Sequence, residues 1–204
     1  MRMLAAALAL IAAMPALAQG LLPTPPRSAD FSMGPFDTLV IRGVTIIEGN
    51  GGPPFGPADI VIRGDRIAEI RSAGTPGLPM QPNRPPQVTG VAGAREIDAT
   101  GMYVLPGFVD MHGHNGDEAK APDPSYGYRL WLAHGVTTVR GVPLFNDPTR
   151  ALLDKRRSAA GEIAAPRFFV YQTLGSGWAK GPTDTPAKAR EWVRWAKTQG
   201  IDGI

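Results

Sequence analysis

Two histidines separated by one glycine, His112 and His114, are the residues whose type and spacing are most typical of chemistry in this sequence. They follow residues 108–111, an apolar run introduced by Pro106 and Gly107, which predicts a short buried strand. Neutral imidazole is the commonest metal ligand in proteins. Side chains alternate along a strand, so Asp110, His112 and His114 are expected to share one face. The pattern favours a metal site; two polar residues in a turn at the strand end are the alternative.

The glycine between the two histidines, Gly113, is expected to leave space for a cation and its substrate to approach the backbone. The chain has three histidines and no cysteine, so a transition metal has to be held by histidine and carboxylate. The third histidine, His134, precedes a predicted strand instead of following one. We expect it to pack against or cap a helix, on the side of the fold away from the first two.

Strands and helices alternate regularly in the second half of the sequence. The predicted helices begin at Asp123–Pro124, Asp147–Pro148 and Thr185–Pro186 and end at Gly135, Gly161 and Gly200. The predicted strands after the first are residues 136–140, 168–171 and 201–204. Connections this short are typical of a parallel sheet of βα repeats. His112 and His114 lie at the carboxyl end of the first of these strands, the edge where active sites of such folds are built.

The first half of the sequence predicts a small antiparallel β-module. Its predicted strands are short β-branched runs at residues 38–42, 44–47, 59–63, 66–70 and 95–99. Residues 72–94 are rich in glycine and proline and predict a surface excursion. Residues 19–37 predict an extended linker without a function.

The first 18 residues predict a secretory signal peptide. One positive charge, an apolar run from Leu4 to Met14 and the small-residue site ending at Ala18 fit this class of leader. We therefore expect cleavage after Ala18 and a periplasmic or secreted protein. The apolar run is too short for a stable membrane anchor, although an anchor or a buried helix remains the alternative.

Composition limits the kinds of partner. The 204 residues carry a formal charge of +3, which falls to +2 without Arg2, so nucleic acid is not expected as the target. Hydrophobic residues make up 43% of the chain, enough for a packed core.

Taken together, the motifs resemble the N-terminal part of an amidohydrolase superfamily enzyme, of its imidazolonepropionase-like and prolidase-like branch. The resemblance is carried by five segments in the family's order: residues 39–47, 59–70, 97–101, 105–114 (Leu-Pro-Gly-Phe-Val-Asp-Met-His-Gly-His) and 134–140 (His-Gly-Val-Thr-Thr-Val-Arg). An ordered series of this kind is far more specific than His-x-His alone.

The resemblance implies a (β/α)8 TIM barrel, of which residues 102–204 are about the first half, truncated in strand 4, preceded by a small β-sandwich module at residues 38–101. It implies one or two divalent ions, usually zinc, and hydrolysis of a carbon–nitrogen bond in a small amide or dipeptide-like substrate. His112 and His114 match the family's first two metal ligands. Asp110 is expected to orient the two histidines without binding the metal itself. The alternative is a buried acid whose oxygens accept from backbone N–H groups.

The remaining residues of the family's active site are expected beyond residue 204. Members with two metals use a carboxylated lysine after strand 4, histidines after strands 5 and 6, and an aspartate general base after strand 8. No catalytic residue is therefore assigned within this chain, which is expected to be inactive and poorly soluble by itself. The chain departs from the family pattern at Gly141, which follows the second predicted barrel strand and where the family often has an acid.

Two further residues are candidates for substrate contact. Trp178 and Lys180 follow the third predicted barrel strand, where they could meet an apolar group and a carboxylate of the substrate; an ordinary solvated loop is the alternative. Three alternatives for the whole protein remain open: a secreted non-catalytic binding module, a deaminase or a lactone hydrolase. The full-length protein could also form a homo-oligomer.

Overall fold

The computed structural model describes residues 23–29, 33–75, 78, 93–114, 122–141 and 148–204, and within them the chain is a mixed α/β protein. The predicted signal peptide and most of the predicted excursion lie outside the described residues. The first elements are β1 (Thr38–Ile46), β2 (Phe55–Arg63), β3 (Arg66–Ser72), β4 (Arg95–Asp98) and β5 (Tyr103–Val104). They are followed by β6 (Phe108–Gly113), α1 (Ser125–Ala133), β7 (Val136–Gly141), α2 (Thr149–Ala159), β8 (Arg167–Val170) and α3 (Pro186–Gln199).

The first five strands form one sheet in the order β3-β2-β1-β4, with β5 also paired to β1. The prediction of an antiparallel module is wrong in part, because β4 and β5 run parallel to β1. A parallel neighbour needs a long crossover, and the connection across residues 73–94 provides the length. A second sheet facing this one is not among the described residues, so the β-sandwich stays a prediction.

The two runs predicted as separate strands at residues 38–42 and 44–47 join into β1. The register against β2 shifts between Ile41 and Val44, where Gly43 takes a positive φ of 72°. The Gly43 N–H donates to Asp59 Oδ1 at 2.9 Å, so the buried aspartate satisfies the backbone at this irregularity.

The strands β6, β7 and β8 form a parallel sheet in that order, as the βα pattern predicts. Tyr171 and Gly203 add a parallel bridge at its far side, where the fourth strand was predicted to begin. The closure of this sheet into a barrel stays a prediction. Among the described residues, no helix is both long enough and apolar enough to cross a membrane.

The helices cover one face of the parallel sheet. Val139 and Phe168 pack with Tyr128 of α1, and Val170 packs with residues of α2 and α3, including the fully buried Trp192. We call the opposite side of this sheet the open face. It carries the residues that alternate with these, such as Phe169, which is 42% exposed.

Two helix ends show how the sequence fixes α3. The Thr185 side chain accepts a hydrogen bond from the Lys188 N–H, and Gly200 ends the helix at a φ of 87°. At α1 and α2 the N-cap positions are Pro124 and Pro148, one residue later than the predicted aspartates. Asp123 still accepts the Ser125 N–H at 2.9 Å, so its predicted role at the start of the helix is preserved.

The prediction of a linker at residues 19–37 is wrong for residues 23–29, which dock against the helical layer. Thr24 is 3% exposed, and its hydroxyl donates to Asp154 Oδ2 at 2.8 Å. The Arg27 N–H donates to the Glu162 carbonyl at 2.7 Å. Arg157 Nη1 donates to the Thr24 carbonyl, also at 2.7 Å. Proline-rich composition gave no sign of these contacts, because their partners lie more than a hundred residues further along the chain.

Candidate metal-binding site

His112 and His114 converge at the carboxyl end of β6. Their Nε2 atoms are 3.2 Å apart, and their rings meet edge to face with centroids separated by 5.1 Å. Both side chains are exposed. The predicted pair is therefore brought together at the edge of the sheet that the sequence indicates.

The separation of the two nitrogens fits shared coordination of one ion. A zinc ion lies about 2.0–2.1 Å from each imidazole nitrogen, so two ligands at a tetrahedral angle are about 3.3–3.4 Å apart. The observed 3.2 Å is close to this value. An N–H···N hydrogen bond between two neutral rings accounts for the same distance, and it is the alternative that a metal-binding experiment has to exclude.

Two histidines do not complete a metal site. Within the part of the chain that the structure describes, no group of three histidine, cysteine or acidic side chains is placed to hold an ion. A catalytic zinc ordinarily takes three ligands from protein. The two imidazole nitrogens are donors of the kind that suits a borderline-soft ion such as zinc.

Asp110 does not share the face of the histidines, and this corrects the expectation from simple alternation. Asp110 pairs with Val139 and Gly113 pairs with Gly141, so three steps on β6 match two on β7. The resulting bulge places Asp110 and Gly113 on the helical side. Asp110 Oδ2 accepts from Trp131 Nε1 at 3.1 Å, while Oδ1 accepts the backbone N–H of His112 at 3.0 Å.

The contact with the His112 N–H still gives Asp110 a means of orienting a histidine, through the backbone instead of the ring. Both carboxylate oxygens of Asp110 have donors, one of them a backbone group and the other an indole. Whether the carboxylate tunes metal binding stays a prediction.

Gly113 serves packing against the helical layer, and the expectation that it leaves space for a cation is wrong. A Cβ at this position would lie 2.4 Å from Val139 Cγ1 and 2.8 Å from Trp131 Cζ2. The absent side chain therefore lets α1 and β7 approach the strand closely. The histidines on either side of Gly113 point the other way, onto the open face.

His134 ends α1, which confirms the prediction that it caps a helix. Its Nδ1 lies 2.8 Å from the Leu130 carbonyl oxygen, and its backbone N–H donates to carbonyls of the last turn. A carbonyl only accepts, so Nδ1 carries the proton in this contact. His134 precedes β7, at the amino end of the sheet and away from the other two histidines.

Trp178 and Lys180 lie in the loop after β8, as predicted, but both have other contacts there. Trp178 is half-buried against the cluster formed by α2, β8 and α3. Lys180 Nζ forms a 3.0 Å ion pair with Glu191 Oε1 on α3. These contacts give each side chain a structural use, and contact with a substrate stays a prediction.

Arg140 and Tyr171 lie at the same carboxyl edge of the sheet as the histidine pair, and neither is predicted from the sequence as a site residue. Arg140 precedes Gly141 and so projects onto the open face, where its guanidinium carbon lies 4.0 Å from the centroid of the Tyr171 ring. Gly141, where the resembled family often has an acid, is buried and paired with Gly113. The signal for Arg140 was its alternation with Val139 at the end of a predicted strand.

Two histidines converge at the carboxyl edge of a parallel βα sheet, which is the edge where active sites of such folds are built. No protein-family model matches the chain. Among curated proteins, the N-acyl-D-aspartate deacylase of Alcaligenes xylosoxydans xylosoxydans is 34% identical over 169 residues, which are 79% of this chain and 27% of that enzyme. The D-aminoacylase of the same organism is 35% identical over 110 residues, 52% of this chain and 18% of its own length.

Solved structures agree on the fold. A Bifidobacterium longum protein assigned as a prolidase superposes with a TM-score of 0.62 at 22% identity, covering 82% of this chain and 40% of that protein. The chain is thus similar in sequence to the first part of amide-cleaving deacylases and in fold to part of a prolidase-like protein. It spans about a quarter of the length of the deacylase that it matches.

Proposed function

We propose that the whole protein is a metal-dependent hydrolase that cleaves a carbon–nitrogen bond in a small amide. The observation that carries the proposal is the convergence of His112 Nε2 and His114 Nε2 to 3.2 Å at the carboxyl end of a parallel strand. The substrate class we favour is an N-acyl amino acid, with a dipeptide as the second choice. Two relatives of the chain, a deacylase and an aminoacylase, support this choice of substrate class.

A bound divalent ion, most simply zinc, would supply a water of lowered pKa and polarise the scissile carbonyl. In this chain His112 and His114 would hold the ion. Asp110 would fix the backbone at His112, and the Gly113–Gly141 pairing would hold the end of β6 rigidly against β7. Rigid support of this kind keeps the distance between two ligand atoms constant.

The proposal extends to the architecture and location of the whole protein. The parallel sheet would be the first part of a (β/α)8 barrel, and the five-stranded sheet would be one layer of a β-sandwich. The leader would be removed after Ala18 and the enzyme exported. The general base and the remaining ligands would come from later barrel strands.

The test is hydrolysis of a panel of N-acetyl amino acids and dipeptides by the purified full-length protein, with and without a chelator. We expect hydrolysis of at least one member that is lost on chelation and restored by zinc. His112→Asn should lower kcat/KM by at least a hundredfold, because it removes a ligand. His134→Asn, the matched control at the end of α1, should stay within about threefold of the wild type.

Two results would contradict this function. One is hydrolysis that resists chelation, and the other is equal loss in the His112 and His134 variants when both remain folded by circular dichroism. Release of ammonia from a purine or pyrimidine, with no amide hydrolysis, would favour the deaminase alternative.

A further inference from the structure

The open face carries a cation beside the two histidines that the proposed mechanism does not use. Arg140 precedes Gly141 just as His112 precedes Gly113, and these two glycines are paired. Neighbouring strands lie about 4.8 Å apart, so the backbones of Arg140 and His112 are adjacent at the carboxyl end of the sheet. Whatever binds at the histidines therefore comes within reach of the guanidinium.

The guanidinium of Arg140 lies over an aromatic ring. Its carbon lies 4.0 Å from the centroid of the Tyr171 ring, and this ring in turn rests on Gly203, where a Cβ would come within 2.3 Å of Tyr171 Cε1. The absence of a side chain at Gly203 thus allows the position of Tyr171, and Tyr171 supports Arg140. A ring beside the face of a guanidinium leaves the in-plane N–H groups free to pair with other acceptors.

Those donors lack an acidic partner in the described part of the chain. No ion pair joins Arg140 to an aspartate or glutamate there, and its Nε is buried without a hydrogen-bond acceptor. A buried donor left without an acceptor is unfavourable. A guanidinium over an aromatic ring, with an Nε that no described residue accepts from, is suited to bind a planar anion.

We propose that Arg140, positioned by Tyr171, binds the carboxylate of the substrate while the scissile amide lies at the histidines. The proposal rests on the proposed function and deepens it, since it selects substrates with a free carboxylate close to the amide. In an N-acyl amino acid only the nitrogen and the α-carbon separate the amide carbonyl from the carboxylate. The fork of a guanidinium matches a carboxylate with two parallel hydrogen bonds.

The test compares binding of N-acetyl-alanine, N-acetyl-leucine and N-acetyl-glutamate, in both enantiomers, with binding of their α-carboxamides. Isothermal titration calorimetry on the chelator-treated full-length protein makes the readout independent of metal and turnover. We expect at least one acid to bind about 10- to 100-fold more tightly than its amide. Arg140→Met should abolish this preference and Arg140→Lys should keep only part of it, because a lysine lacks the fork. Arg194→Met removes an exposed charge on α3 and should keep the full preference.

The outcomes separate this inference from the function on which it rests. Absence of a preference in the wild type, or a full preference in Arg140→Met, overturns the carboxylate site even when metal-dependent hydrolysis is present. If Arg140→Met does not fold, a full preference in Arg140→Lys overturns it instead. Arg140-dependent binding without hydrolysis of any panel member supports the anion site and counts against the hydrolase.

Discussion

At the scale of single residues, the register of β6 against β7 turns Asp110 to the helical layer and leaves His112 and His114 together at the carboxyl edge. Spacing and position at a strand end were enough to select His112 and His114. The face of Asp110 depends on a bulge, and the bulge exists only in the register of β6 against β7. Register is a property of two strands, so a rule that alternates along one strand misplaces the aspartate.

Gly113 gives a test of this packing. Gly113→Ala would bring a Cβ to 2.4 Å from Val139 Cγ1, so the strand or α1 has to shift. We expect a loss of about 1–3 kcal/mol of stability in chemical denaturation, as for other overpacked sites.

The matched control for this substitution is Gly127→Ala in α1, where an added Cβ meets no atom within 4 Å. An alanine inside a helix is favoured over glycine, so this variant should gain up to about 1 kcal/mol. A Gly113→Ala variant as stable as the wild type would mean that Trp131 and Val139 do not fill the space beside the glycine.

At the scale of elements, the strands and helices of the second half follow from the spacing of apolar residues and from the prolines and glycines that bound them. Apolar runs bounded by prolines and glycines predict α1 to α3 and β6 to β8 with bounds close to the observed ones. Strand direction in the first sheet could not be obtained in this way. The parallel placement of β4 depends on the path of a long connection, and no local pattern in residues 95–99 records that path.

The docked segment at residues 23–29 provides the test at this scale. Thr24→Val removes the hydroxyl that donates to the buried Asp154 at 2.8 Å and leaves Tyr128 as the other hydroxyl donor to this carboxylate. We expect a loss of about 1–3 kcal/mol, because a buried charged group loses a hydrogen bond.

Limited proteolysis should show the same effect locally, with faster cleavage near residues 23–29 in the Thr24 variant. Thr198→Val on the exposed side of α3 is the control, and its stability should change by less than about 0.5 kcal/mol. Equal cleavage of the wild type and the Thr24 variant would indicate that the segment is not held by this contact.

At the scale of the whole molecule, the chain combines a mixed sheet and a parallel βα sheet whose open face carries the candidate chemistry. Apolar side chains remain exposed on that face, among them Val109 at 54% and Phe169 at 42%. Burial of this surface by further barrel strands is what the proposed architecture requires. The histidines, Arg140 and Tyr171 would then line the mouth of a closed barrel.

The measurement that tests the central claim most directly is the zinc content of the full-length protein after equilibrium dialysis, read by inductively coupled plasma mass spectrometry. We predict at least one bound zinc per chain in the wild type and in His134→Asn. In the His112→Asn/His114→Asn double variant, at least one equivalent should be lost while the protein stays folded. Equal zinc in the double variant and the wild type, or no zinc in either, would mean that the 3.2 Å approach of the two imidazoles is a hydrogen bond and not a metal site.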